Sequence, residues 1–128
     1  MAKAMLLAGA LAILAASVDA RAEDSGAQDS ARRLAVDRGC YTCHSDKRVQ
    51  PSAKTVLPLA PSWSEIASRY RKQADAETRL AGIVITGSDP RVRHWPNEAA
   101  FASMLPNDAE VTPEQARTLV HWIIASPH

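Results

Sequence analysis

The chain of 128 residues has only 2 cysteines, 5 glycines and six aromatic side chains (three Trp, two Tyr, one Phe), and neither sign of charge prevails. Two cysteines cannot build the disulfide framework of a small secreted scaffold. So few glycines, with no period to them, exclude a collagenous chain, while 46% hydrophobic and 23% charged residues exclude a disordered one. Fifteen basic against fourteen acidic side chains leave a formal charge of +1, which provides no overall pull toward nucleic acid or an anionic membrane. The length excludes a multidomain enzyme and leaves one small domain. No apolar run reaches the ~20 residues that span a bilayer. A domain of this size with so few large side chains gains its missing core from something bound.

The longest uncharged run, Ala4 to Ala16 (AMLLAGALAILAA), follows Lys3 and has the length and flank of an export signal. Ala20-Arg21-Ala22 then fits the A-x-A cleavage pattern, with cutting after Ala22; Val18-Asp19-Ala20 offers a second site after Ala20. An uncleaved N-terminal anchor is the alternative, and the absence of a nearby cysteine argues against a lipoprotein. The expected organisation is a signal peptide over 1–22, a flexible linker over 23–29 (EDSGAQD lacks any large apolar residue) and a folded domain over 30–128. Such a product is periplasmic, with no membrane span once the signal is removed.

Every convincing periodic segment of that domain is helical, and no strand-like alternation recurs. Ser30 can cap a helix through Arg38, with Ala31, Leu34 and Ala35 on one face and Gly39 ending it. Residues 45–61 carry Pro51, Pro58 and Pro61 and read as a loop. Ser62-Trp63-Ser64-Glu65 is a capping box, followed by a stripe of Trp63, Ile66, Ala67 and Tyr70. Asp75 to Thr86 places Leu80, Ile83 and Val84 on one side and stops at Gly87. Ser88 to Pro96 is rich in turn residues, and Ala99 to Ser103 adds one helical turn. Thr112-Pro113-Glu114-Gln115 then opens a last helix, with Ala116, Leu119, Val120 and Ile123 at i, i+3, i+4 and i+7. The fold class is therefore all-α, a bundle of about four to five short helices.

The chemistry lies at Cys40-Tyr41-Thr42-Cys43-His44. C-x-x-C-H is the attachment site of c-type haem. Two thiols three residues apart can each form a thioether to a vinyl group of one porphyrin edge, and the adjoining His44 then coordinates the iron. Three other readings use the same residues. A thioredoxin-like pair needs a βαβ neighbourhood and leaves His44 without a role. A zinc site would recruit His94 and His121, whose separate placement fits no zinc-finger spacing. A plain disulfide would close a very small loop and remove little chain entropy.

The sixth ligand of a haem decides between carrier and catalyst. Met1 and Met5 leave with the signal, so Met104 is the remaining thioether. A soft thioether opposite imidazole favours ferrous iron and raises the potential. His94 is its rival, and Met104 as a core filler is the plainer alternative.

From about Ser30 to Ser126 the sequence resembles the small bacterial class I cytochromes c. The pieces occur in family order: a short helix into G-C-x-x-C-H (Gly39 to His44), a proline and helix (P-S-W-S-E-I-A-S-R-Y from Pro61), a helix ending at Gly87, then Trp95, Met104 and a final helix containing Trp122. The resemblance implies one covalent haem c with its iron, held through Cys40 and Cys43, with His44 and Met104 as axial ligands. It implies that the Pro61 carbonyl accepts the other ring N–H of His44. It also implies that the Trp95 indole meets a haem propionate, with Arg91 or Arg93 as charged helpers. Crossing of the first and last helices would set Leu34 against Leu119, Val120 and Ile123, with Trp63 and Trp122 in the core. Three departures bear on the ligand loop: Leu105 separates Met104 from Pro106, the Trp95 to Met104 stretch is long, and Ala60 stands where glycine is usual.

The implied activity is one-electron transfer without chemical transformation of a substrate, so the chain is not expected to be an enzyme. Its partners would be redox proteins: a dehydrogenase as donor and an oxidase or another cytochrome as acceptor. A subunit of a periplasmic dehydrogenase complex shares all this chemistry and differs by a stable complex on native purification. A five-coordinate peroxidase or sensor would instead bind exogenous ligands without displacing a methionine. Charge is unevenly placed along the chain. Residues 46–93 hold Lys47, Arg48, Lys54, Arg69, Arg71, Lys72, Arg79, Arg91 and Arg93 against five acids, whereas 94–128 hold Arg117 against four. Bases near the attachment motif could steer the protein to an acidic partner, scattered solubilising charge being the alternative.

Overall fold

The computed structural model describes residues 24–49, 59–92, 94–96, 101–107 and 111–126. The expected signal sequence, Lys54 and Arg93 lie outside these residues. The chain divides into two compact units, residues 1–30 and 31–128. Of the first, residues 24–30 are described and are helical. Helix α1 covers residues 24–37, so it starts ahead of Ser30, and Ser30 lies within it instead of capping it. The stretch read as an irregular linker is thus helical from residue 24. Its composition permits this: no proline interrupts it, Gly26 costs only ~1 kcal/mol, and Asp24 stands where the helix dipole favours an acid.

Further along, a 3₁₀ turn spans Cys40–Thr42, and helices α2 (Trp63–Tyr70), α3 (Ala76–Thr86) and α4 (Pro113–Ala125) follow. Among the described residues there is no strand. No helix there is long and apolar enough to cross a membrane.

The punctuation follows local chemistry. Gly39 ends α1 at φ 72°, ψ 13°, the left-handed region that a side chain disfavours. The Ser62 hydroxyl accepts from the Glu65 N–H while the Glu65 carboxylate accepts from the Ser62 N–H, closing a capping box at α2. Thr112 and Gln115 repeat the device at α4, with Pro113 in the first turn. Residues 101–107, by contrast, carry no regular structure; the helical turn expected over Ala99 to Ser103 is absent from its described part. Pro106 biases Leu105 away from helical backbone, and the backbone bonds of Ala102 and Met104 go to other segments.

One core joins the helices of the second unit. Ala31 and Ala35 of α1, Trp63 and Tyr70 of α2, Ala76 and Ala81 of α3, and Ala116, Leu119, Val120, Trp122, Ile123 and Ile124 of α4 are buried in a single cluster, with Leu34 half-buried against it. Helix α4 packs on both α2 and α3. The alanines at 31, 35 and 116, all within 2% of full burial, present no bulk and let helix backbones approach closely. Trp63 meets Trp122 edge to face at 5.9 Å. At the far end of α4, the Arg71 guanidinium donates to the carbonyls of Ile124 (2.9 Å) and Ser126 (3.0 Å), satisfying acceptors that the helix itself leaves open.

Candidate functional site

The Cys40–His44 segment is a tight turn held by its own backbone: the Thr42 N–H reaches Gly39 O at 3.0 Å, and the Cys43 and His44 N–H groups reach Cys40 O at 3.3 and 3.0 Å. Positions three apart eclipse in a 3₁₀ turn, so this conformation suits two thiols that must serve one porphyrin edge. Both thiols are free, Cys40 half-buried and Cys43 exposed, so the disulfide reading fails. Burial pushes the Cys40 thiol above its ordinary value, which disfavours the reactive thiolate of a redox pair. Among the described residues no three of His, Cys, Asp and Glu gather as a metal site, and His121 instead lies 2.9 Å from Glu77. That removes the support for zinc.

His44 is fixed on two sides. Its Nδ1 lies 2.7 Å from the Pro61 carbonyl oxygen; a carbonyl can only accept, so Nδ1 carries the proton and Nε2 keeps its lone pair. Burial lowers the His44 pKa, with the Pro61 bond opposing in part, so the ring is neutral at neutral pH, the form that binds metal. The imidazole also stacks on Trp63 at 4.4 Å and 19°. Trp63 is held in turn: its backbone N–H donates to Ser45 O at 2.8 Å, and Tyr41 meets its ring edge to face at 5.8 Å. Below the turn, Arg32 bonds both oxygens of Asp46 at 3.1 and 2.7 Å, and the Tyr41 hydroxyl donates to the same carboxylate at 2.7 Å. Burial, then the Asp46 hydrogen bond, push the Tyr41 phenol upward, which keeps it a neutral donor.

Met104 is half-buried in the 101–107 loop. Its N–H donates to the Ser88 hydroxyl and its carbonyl accepts from the Ser88 N–H, each at 2.8 Å. One residue earlier Gly87 takes φ 76°, ψ 175°. A second tie joins the Ala102 N–H to Leu59 O at 2.9 Å. Residues 59–61 thus anchor the Met104 loop through one carbonyl and His44 through another.

The remaining sequence-derived candidates fare differently. Trp95 is half-buried between Tyr70 (6.4 Å) and Phe101 (5.9 Å), both edge to face, with the Arg69 guanidinium 4.7 Å above its ring. Arg91 is exposed and bonds both carboxylate oxygens of Asp89 at 3.0 and 2.9 Å. This pairing holds the Asp89 carboxyl below its usual range. Four of the nine bases of 46–93 are engaged within the chain: Arg48 with Glu65, Arg79 with Asp75, Arg91 with Asp89, and Arg71 with the end of α4. Ser88 and Leu59 were not singled out from the sequence, and Gly87 was read there only as the stop of α3. A Gly-Ser pair after a helix is visible there, but the residue it reaches lies sixteen positions on.

The donor set fits haem c: two free thiols on one turn, beside a neutral imidazole with one nitrogen occupied and one available. An all-helical fold in which the C-x-x-C-H turn directly follows the first helix is the arrangement of a class I cytochrome c. The family model described as cytochrome c matches residues 29–126, and the chain belongs to that family. Cytochrome c2 of Rhodocyclus tenuis is 31% identical over 92 residues, 72% of this chain and 87% of the relative. Cytochrome c2 of Rubrivivax gelatinosus is 33% identical over 95 residues, 73% and 94% respectively. The crystal structure of wild-type Nitrosomonas europaea cytochrome c552 superposes with a TM-score of 0.56 at 28% identity, covering 73% of this chain and 96% of that one. The protein is accordingly a monohaem electron carrier whose haem c is attached through Cys40 and Cys43.

Proposed function

We propose that the chain is an exported, periplasmic one-electron carrier in which His44 and Met104 are the axial ligands. The observation that carries the reading is the 2.7 Å bond from His44 Nδ1–H to Pro61 O. It fixes the tautomer, aims the free Nε2 lone pair and raises the basicity of the ring as a ligand. The haem supplies reversible one-electron chemistry at iron. The chain's own residues hold and tune it. Cys40 and Cys43 fasten the porphyrin, Trp63 and Pro61 keep the imidazole in one orientation, and Met104 supplies a sulfur donor from the opposite segment of sequence.

A carrier must change charge without rearranging, and this architecture suits that requirement. The apolar cluster of α1, α2 and α4 backs the half-buried histidine through the buried Trp63, and no acid or base is needed to move a proton there. Trp95 and Arg91 are proposed to meet the haem propionates; Arg91 bonds Asp89 through Nε and Nη2, and its Nη1 would donate to the propionate. The presequence 1–22 is proposed to direct export, with redox proteins as partners on arrival.

The test is spectroscopic. Made in cells that attach haem to exported chains, the ferric protein should show the weak near-infrared band of sulfur-ligated iron. Met104→Ala should abolish that band and His94→Ala should leave it. Loss in His94→Ala, or persistence in Met104→Ala, would overturn the ligand assignment.

A further inference from the structure

Residues 101–107 have no hydrogen-bond ladder of their own, so the position of Met104 depends on what grips the loop from outside. The grip at Met104 itself is reciprocal. Ser88 uses its side-chain oxygen to accept the Met104 N–H and its backbone N–H to bind the Met104 carbonyl, both at 2.8 Å. Two bonds from one residue to both peptide groups of another fix its orientation as well as its distance.

Gly87 makes that close approach possible. Its φ of 76° with ψ 175° lies in a region open essentially to glycine alone. A Cβ there would stand 2.7 Å from Met104 O, 2.8 Å from Pro106 N and 2.9 Å from Pro106 Cδ, too close for any to stay in place. The Thr86 hydroxyl donates to Gly82 O at 3.0 Å and reaches Gly87 O at 3.3 Å. The end of α3 is therefore shaped by three consecutive side-chain choices to receive one residue of the loop.

We infer that Gly87 and Ser88 are positioning residues for the sulfur ligand: a clip at the end of α3 that holds Met104 in place and sets how readily it yields to a competing donor. The inference rests on the assignment of Met104 as axial ligand. It adds that the ligand's residence on iron is controlled from α3, through the Ser88 hydroxyl. Removing that hydroxyl leaves the Met104 N–H without its acceptor and frees one side of the clip. Threonine retains the hydroxyl at the same carbon.

The experiment is a titration of the ferric holoprotein with imidazole, following loss of the near-infrared sulfur band. Loss of one net hydrogen bond predicts that Ser88→Ala binds imidazole roughly fivefold more tightly than the parent, with Ser88→Thr within about twofold. Gly87→Ala should lose most of the band before imidazole is added. Arg71→Ala, which unties the end of α4 and weakens the whole fold, should leave imidazole affinity within about twofold. Parental affinity in Ser88→Ala, or an equal gain in Arg71→Ala, overturns the clip, and a full band in Gly87→Ala overturns that residue's part. The two readings fail separately. A band that survives Met104→Ala removes the ligand assignment, whereas a band lost there with parental behaviour in Ser88→Ala removes only the clip.

Discussion

The turn at Cys40–His44 and the loop at 101–107 carry the two proposed ligands, and they are built in opposite ways. The turn makes its own hydrogen bonds, stacks its histidine on a buried tryptophan and is braced by Arg32, Asp46 and Tyr41. The loop carries no regular structure, and Leu59 and Ser88 anchor it from outside. A net hydrogen bond contributes only about 0.5–1.5 kcal/mol, so a segment held by a few of them opens locally at far lower cost than the core. The imidazole side is thus held by many contacts of the chain itself, whereas the segment that carries the proposed sulfur ligand rests on a few bonds from distant residues.

The sharpest way to break that contrast is to remove each ligand in turn. His44→Ala should reduce the yield of haem-bearing protein to a small fraction of the parent, read as haem absorbance per intact mass, because the attachment turn loses the group that seats the iron. Met104→Ala should mature at near-parental yield and lose only its near-infrared band. Equal yields would show that the two segments contribute alike to assembly.

The two tryptophans supply the next measure. Trp63 is 3% exposed and touches His44, Tyr41 and Trp122, so Trp63→Ala should destabilise the holoprotein by about 3–5 kcal/mol in urea unfolding. Trp95, half-buried among Tyr70, Phe101 and Arg69, removes less surface from water, and Trp95→Ala should cost about 2 kcal/mol. If Trp95 proved the costlier loss, the histidine side would not be the better built of the two.

The same asymmetry governed what could be read from sequence. Both capping boxes, the Gly39 and Gly87 stops, the helical faces of α2 and α4 and the attachment motif are local signals, none longer than eight residues, and each lies where its pattern indicated. Burial of Trp63 also followed, since it falls on a helical stripe, and burial of Trp122 was expected with the family resemblance. The start of α1 did not, because a lone serine resembles a cap even where the preceding residues can be helical. What holds Met104 is a long-range pairing: Ser88 and Met104 are sixteen residues apart, and neither carries a periodic signal. The His44 to Pro61 bond spans seventeen and was expected only because a family resemblance supplied it. Distant pairings of single residues leave no trace in composition or spacing.

The two capping boxes turn the comparison into a measurement at fixed chemistry. Ser62 starts the helix beside His44 and is 1% exposed; its hydroxyl accepts the Glu65 N–H at 3.3 Å and donates to the Glu65 carboxylate at 2.8 Å. Thr112 follows the ligand loop, is exposed, and accepts the Gln115 N–H at 3.2 Å. Alanine at either site removes one cap, but water can replace the lost oxygen only at 112. Ser62→Ala should therefore cost about 2 kcal/mol and Thr112→Ala about 1 kcal/mol or less, compared by urea unfolding of the two holoproteins. Equal losses would mean that water reaches the helix start beside His44 as freely as it reaches the start of α4, and the contrast between the two segments would fall with that result.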